Sequence, residues 1–278
     1  MISVVTAVLP AHAELLRSAY ASLRHQDVDW EWVIQIDGSR CELVGRDDPR
    51  VSVDANGKRL GTSVTRNRAL LRASGAHIAT LDADDAYVED GLSTLLKALK
   101  SVPEAQFAIG DVVDVFPEGQ RLQRFSQRGY ADGPLQVGAI ERAWRDHKNA
   151  LIQPNAALYR RSALLEVGGW PAITGMEDLD LLLTLSTRHV GAYIARVVYA
   201  YRQHPLQTVR TRAFEEDLAL HRDWCNARLN AAHTMADQRS DGSSASLSLP
   251  TPTPSAEDIK SLTTPEWRLA AARIGRRP

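Results

Sequence analysis

Short apolar runs alternate with stretches of helical periodicity through the first third of the chain, the pattern of strand-helix units that build a mostly parallel sheet. Ser3 to Leu9 is β-branched and almost wholly apolar, as a strand buried on both faces requires, and it opens the sheet. Leu15, Leu16, Ala19, Tyr20 and Leu23 recur at helical spacing, and Glu31 to Ile36 reads as a second buried strand that ends at Asp37-Gly38-Ser39. Val51 to Val53 is a short third strand. A helix follows over Thr62 to Ser74, with Gly75 suited to its left-handed cap, and His77 to Leu81 is the next strand. That strand runs straight into Asp82-Ala83-Asp84-Asp85. Leu92, Leu95, Leu96 and Leu99 then mark one helical face, and Phe107 to Val113 is another apolar strand.

The pattern loosens from Pro117 to Asn149, a polar stretch with glycines at 119, 129, 133 and 138, which reads as a mobile or functional loop. Order returns at Ala156-Ala157-Leu158-Tyr159, followed by a short helix at Ser162 to Val167 and the Gly168-Gly169-Trp170-Pro171 break. Met176 to Thr187 is helical, Tyr193 to Tyr201 is a late strand, and Phe214 to about His233 is a polar helix. Residues 236–256, dominated by the Ser/Thr/Pro-rich run from Ser240 to Ser255, lack the apolar content to order themselves and form a linker. Thr264-Pro265-Glu266 has the order of a helix start, so 257–278 ends in a short basic helix. Its Arg268, Arg273, Arg276 and Arg277 are accompanied by too few apolar residues for a membrane anchor.

Composition narrows the class. Of 278 residues, 33 are Lys or Arg and 34 are Asp or Glu, a balance that argues against nucleic acid or an anionic membrane as the main partner. Cys41 and Cys225 fit neither a disulfide framework nor a zinc spacing, which points to a reducing cytoplasm. The first residues are too short an apolar run for a signal peptide, and no stretch approaches the ~20 apolar residues of a transmembrane helix.

Three clusters carry candidate chemistry. Asp82, Asp84 and Asp85 stand where a buried strand leaves the sheet, the edge at which open α/β sheets bind ligands. Three like charges so close need a compensator, and a hard divalent ion, magnesium or manganese, is the natural one; an acidic turn capping the next helix is the alternative. Glu177, Asp178 and Asp180 open a helix, where acids also complement the helix dipole. The Gly-Gly-Trp turn before them offers Trp170 as an aromatic face able to stack on a sugar, so a carboxylate beside it could take a proton from a hydroxyl. Arg66, Arg68, Arg202 and His204 are candidate phosphate contacts, or solvated surface residues.

In their order these motifs resemble the family 2 glycosyltransferases, GT-A-fold enzymes that use a nucleotide-sugar donor. The matching segments are Ser3-Val4-Val5-Thr6, Ile36-Asp37-Gly38-Ser39, Gly61 with Thr65-Arg66-Asn67, Leu81 to Asp85, Gly168-Gly169-Trp170 and Glu177-Asp178, within about residues 1 to 205. The resemblance implies an α/β GT-A fold in one catalytic domain, 1–235, with a nucleotide-sugar-binding half at 1–115 and an acceptor-binding half at 116–235. It implies that Asp37 meets the nucleobase or ribose, that Asp82 contacts the ribose or the metal shell, and that Asp84 binds the metal. Arg66, Arg202 and His204 would help to hold the diphosphate, with His204 also a metal ligand. Asp178 would be the base, and Glu177 with Trp170 would bind the acceptor. A step of two along a helix turns Asp180 about 160° away from Asp178, which ranks Asp178 first.

Expected, then, is a metal-dependent inverting transfer from a nucleotide-diphosphate sugar to a hydroxyl of a small-molecule or glycan acceptor, by a chain with no transmembrane segment and free to form a homo-oligomer. Ile36 replaces the first acid of the family's Asp-Asp-Gly-Ser, which keeps alive a GT-A module that binds without turnover. Gln207-Thr208-Val209-Arg210-Thr211 lacks the Trp of the processive members' Gln-x-x-Arg-Trp. A nucleotidyltransferase would need a glycine-rich basic loop after the first strand, and Pro10-Ala11-His12-Ala13 is none.

Overall fold

The computed structural model describes residues 1–119, 121–124, 129–205, 207 and 211–240. Met1–Gln238 form one compact unit. The strand β1 (Ile2–Val8) leads through a 3-10 turn at Pro10–Leu15 into α1 (Leu16–Arg24), then β2 (Trp30–Ile36), β3 (Val51–Ala55), α2 (Thr62–Arg72), β4 (His77–Thr80), β5 (Ala86–Tyr87), α3 (Gly91–Ser101) and β6 (Phe107–Val115). There follow β7 (Arg121–Arg124), β8 (Gly133–Leu135), α4 (Ala139–His147), β9 (Ala157–Arg160), α5 (Arg161–Glu166), α6 (Glu177–Ser186), β10 (Gly191–Arg202) and α7 (Arg212–Ser240).

Among the described residues the strands make one sheet in the order β3-β2-β1-β4-β9-β6-β10-β5, with β7 added on β6 and β8 on β10. The pairs β3/β2, β2/β1, β1/β4 and β6/β10 are parallel. β9 lies antiparallel to both β4 and β6, so β4 and β6 run the same way on either side of it. The result is the expected mostly parallel α/β architecture.

Apolar residues on alternating positions bury both faces. Val4, Val8, Trp32, Ile34 and Ile36 pack under α1 and α3 through Leu16, Leu23, Leu92, Leu95 and Leu99. Val5, Val33, Ile78, Phe107, Ile109 and Tyr159 face the other way, against Ala69, Leu70, Leu164, Leu181 and Leu182. A polar seam crosses this core: the Trp32 indole donates to Thr6 Oγ1 at 2.8 Å, and that hydroxyl donates to the Leu81 carbonyl at 2.6 Å. It fixes the point where the chain leaves β4.

The structure departs from the expected elements in three places. The irregular 117–149 stretch holds β7, β8 and α4; α4 buries Ile140 and Trp144, an apolar pair that is hard to see between Glu, Arg and Asp. α2 ends at Arg72 with Ala73 in an extended conformation, and Gly75 is not left-handed. A side chain at Gly75 would instead meet Ser3 Oγ at 2.7 Å and Ser3 N at 2.8 Å, so glycine serves close approach of β1 there. The helix α7 runs on to Ser240 and takes in the first five residues assigned to the linker. The rest of 236–256, the basic helix in 257–278 and Thr208-Val209-Arg210 lie outside the described residues.

Candidate active site

A cavity of about 500 Å³ opens along the carboxyl ends of the parallel strands. Its wall draws on Val8 and Leu9 at the end of β1, Thr62 and Arg66 on α2, Asp82 to Asp84 after β4, Asn155 before β9, Thr174 to Leu179 into α6, Tyr201 near the end of β10 and His204 just beyond it. The acidic turn and the α6 acids, far apart in sequence, thus share one crevice.

Arg66 joins them. Its side chain is only 3% exposed; Nη2 donates to Asp82 Oδ1 at 2.6 Å, and Nη1 donates to Glu177 Oε1 at 2.9 Å and Asp178 Oδ1 at 2.8 Å. Burial opposes its charge, but Asp178, Asp82 and Glu177 together outweigh that penalty and hold its pKa well above the ordinary value. Nη1 thus serves two carboxylates and Nη2 one, while Nε has no hydrogen-bond partner among the described residues, so Arg66 is the counter-charge of the acidic cluster.

Asp178 sits at the first turn of α6, 15% exposed. Its Oδ1 also accepts the Trp170 indole N–H at 2.8 Å, while Oδ2 has no hydrogen-bond partner among the described residues. Burial pushes its pKa up to about 7, with Glu177 and Asp82 adding to the rise and Arg66 and the indole opposing it. Asp180 turns the other way, as the helical step requires: it is buried against α7, with Arg228 at 2.5 Å.

Trp170 does not present its face to a sugar. It is 2% exposed, sealed in the core below α6, and touches the site only through its indole N–H. Asn67, one residue after Arg66, holds the same turn: its Nδ2 donates to the Trp170 carbonyl at 2.9 Å and its Oδ1 accepts the Trp170 backbone N–H at 3.0 Å. Gly168 and Gly169 make that turn with φ of 85° and 73°, and a Cβ on Gly169 would lie 2.2 Å from Asn67 Oδ1.

The three aspartates after β4 have separate fates. Asp82 accepts from Arg66 with one oxygen and from Asn155 Nδ2 at 2.8 Å with the other, and it lines the cavity. Asp85 is buried, bonded by the Tyr199 hydroxyl at 3.0 Å and the Arg202 backbone N–H at 2.8 Å. Burial first, then Asp84 and Asp82, raise its pKa well above the carboxylate range. Asp84 alone meets the cavity with a side chain partner suited to a cation: its Oδ2 lies 2.7 Å from His204 Nε2.

Among the described residues no three His, Cys, Asp or Glu side chains converge on one point for a metal. Asp84 could hold a magnesium ion through its carboxylate, or a manganese ion together with the His204 imidazole, with positions left for phosphate oxygens.

Two further expected residues lie elsewhere. Asp37 is buried, accepting the backbone N–H groups of Leu60 at 2.6 Å and Gly61 at 3.0 Å and the Asn56 amide at 3.1 Å. It shapes the loop entering α2, with two of these bonds on Oδ1 and one on Oδ2. Arg202 approaches the site only by its backbone N–H; it alternates with Tyr201, which lines the cavity. Asn67 stands in the quoted Thr-Arg-Asn segment without an assigned role, whereas Asn155 has no sequence signal at all.

The model of Glycosyl transferase family 2 matches residues 3–168. The uncharacterized protein y4gI of Sinorhizobium fredii is 30% identical over 220 residues, 74% of this chain; the chain spans 23% of that relative's length. Crystal structures of S. aureus TarS residues 1–349 superpose at 15% identity. The TM-score is 0.63 for the complex with UDP-GlcNAc, over 84% of this chain and 72% of that one. It is 0.58 for the complex with UDP, over 73% and 61%. These likenesses show a shared GT-A fold.

Proposed function

The chain belongs to glycosyl transferase family 2, and from that premise we propose that it moves a sugar from a nucleotide-diphosphate sugar to a hydroxyl of a small-molecule or glycan acceptor, inverting the anomeric carbon. The observation that carries this reading is the state of Asp178. One oxygen is pinned by two donors; the other has no partner among the described residues, on a side chain that lines the cavity.

In the proposed reaction the acceptor hydroxyl gives its proton to Asp178 Oδ2 as its oxygen bonds to the sugar's anomeric carbon. The bond from that carbon to the diphosphate breaks, and the electron pair leaves on the phosphate oxygen. Arg66 keeps Asp178 oriented and offsets the charge of Asp82 and Glu177 around it. Glu177, with Oε1 on Arg66 and its side chain at the cavity wall, is placed to orient the acceptor. Asp84, joined by His204 for manganese, would hold a manganese or magnesium ion, whose positive charge offsets the negative charge that builds on the departing diphosphate. The S. aureus TarS complexes make UDP-sugars the first donors to try. Among the described residues no helix is long and apolar enough to cross a membrane. The two free cysteines support a cytoplasmic setting.

The test is turnover. Purified protein with manganese and a panel of sugar nucleotides should release nucleoside diphosphate, faster once an acceptor is found. Asp178→Asn and Asp84→Ala should each lower transfer by at least about a hundredfold, the span usually supplied by a positioned base. Transfer by Asp178→Asn at the wild-type rate would remove Asp178 from its role. Ile36 and the occupied carboxylate of Asp37 favour a second reading, binding without turnover. Tight nucleotide binding with no release from any donor would select it.

A further inference from the structure

We propose that Trp170 and Asn67 are positioning residues for Asp178: the Asn67 amide locks the Gly-Gly-Trp turn, and the turn aims the Trp170 indole N–H at Asp178 Oδ1, so that only Oδ2 is presented to the acceptor. The inference rests on Asp178 as the base. The contacts make a closed circuit from one turn of α2. Arg66 reaches Asp178 directly at 2.8 Å, and Asn67 reaches it through the Trp170 backbone, which it grips at 2.9 and 3.0 Å, and the indole, 2.8 Å from the same oxygen.

Three features say that this circuit is built for aim as well as for packing. The indole is buried, so a hydrogen-bond donor has been carried into the core to meet one carboxylate oxygen. Both donors converge on Oδ1, where two separate partners for Oδ1 and Oδ2 would have neutralised the carboxylate as a base. Gly169 in the left-handed region leaves room for Asn67 Oδ1, which a Cβ would displace. Other groups set the charge: Arg66 from α2, Glu177 beside it, Asp82 after β4 and the buried Tyr159 of β9. The indole is the neutral member, and it supplies direction.

Trp170→Phe keeps an aromatic ring in the core and removes the donor. It should lower kcat about tenfold, leave the acceptor KM within about twofold, and raise the acidic limb of the pH profile by about one unit, because a hydrogen bond to the charged form is lost. Asn67→Ser should act in the same direction. Kinetics use the sugar nucleotide that the panel above turns over. A second measurement needs no ligand: of six tryptophan indole N–H resonances in a 15N-labelled sample, the one lost in Trp170→Phe should move upfield in Asp178→Asn. Wild-type kcat and pH profile in Trp170→Phe, or an unmoved resonance in Asp178→Asn, overturns the proposal while the base assignment stands. Full turnover in Asp178→Asn overturns both.

Discussion

At Arg66 one guanidinium answers three carboxylates, and that imbalance sets what each acid can do. Burial first, with the charges of Glu177 and Asp82 crowded on the same cation, outweighs Arg66 and raises Asp178 to about 7. The sign for activity follows directly. Below that value the carboxyl carries its proton and cannot accept another, so kcat/KM should fall about tenfold per unit as pH drops below 7 and level off above it. A profile flat from pH 5 to 8 would contradict it. Stability runs the opposite way: the folded pKa lies above that of the unfolded chain, so the native state binds this proton more tightly and loses stability as pH rises from the ordinary aspartate range through about 7. The ionised form that the chemistry needs is the less stable one.

Among the elements, the turn between α5 and α6 is the one on which most depends. Gly169 carries a left-handed backbone and a side-chain amide where a Cβ would sit. Gly169→Ala should therefore cost about 2 kcal/mol or more, roughly 4 °C or more in melting temperature for a domain of this size, and lower kcat as Trp170 swings. A thermal melt and a rate measured on the same sample check both. This turn also marks where sequence reasoning stops. The run of Gly168-Gly169-Trp170 beside Glu177-Asp178 is legible as a site, but an exposed stacking face and a buried indole donor leave the same letters in the chain. Only the fold, by packing Trp170 under α6, selects between them. Arg66 is similar: its position on the helix after Gly61 is readable, while its three partners come from 16 to 112 residues away. The strands are legible because β-branched runs such as Val4-Val5 must be buried, whereas β7, β8 and α4 are too polar or too short to declare themselves.

For the whole molecule, charge balance conceals a segregated crevice. Asp82, Asp84, Glu177 and Asp178 line one cavity with Arg66 buried among them, so a nucleotide diphosphate should bind weakly unless a cation accompanies it. UDP with manganese should raise the melting temperature of the full chain, by about 2.7 kcal/mol of stabilisation at a hundredfold excess over Kd, and either component alone should do much less. Asp84→Ala should abolish the joint effect. An equal shift with UDP alone in the presence of a chelator would dismiss the metal site at Asp84.

The reversed strand β9 has a consequence for how such a crevice can change. Every parallel strand delivers residues to the ligand edge only as the chain departs the sheet, through the loop that must then return over a helix. Because β9 runs against its neighbours, its start lies at that edge, and Asn155 reaches Asp82 from a segment arriving at the sheet. The long excursion from Phe116 to Pro154 therefore ends at the ligand edge, where Asn155 meets Asp82. Outside β7, β8 and the buried face of α4, its sequence can change to suit a new acceptor while the rest of the sheet, the acidic turn and Asp178 stay as they are.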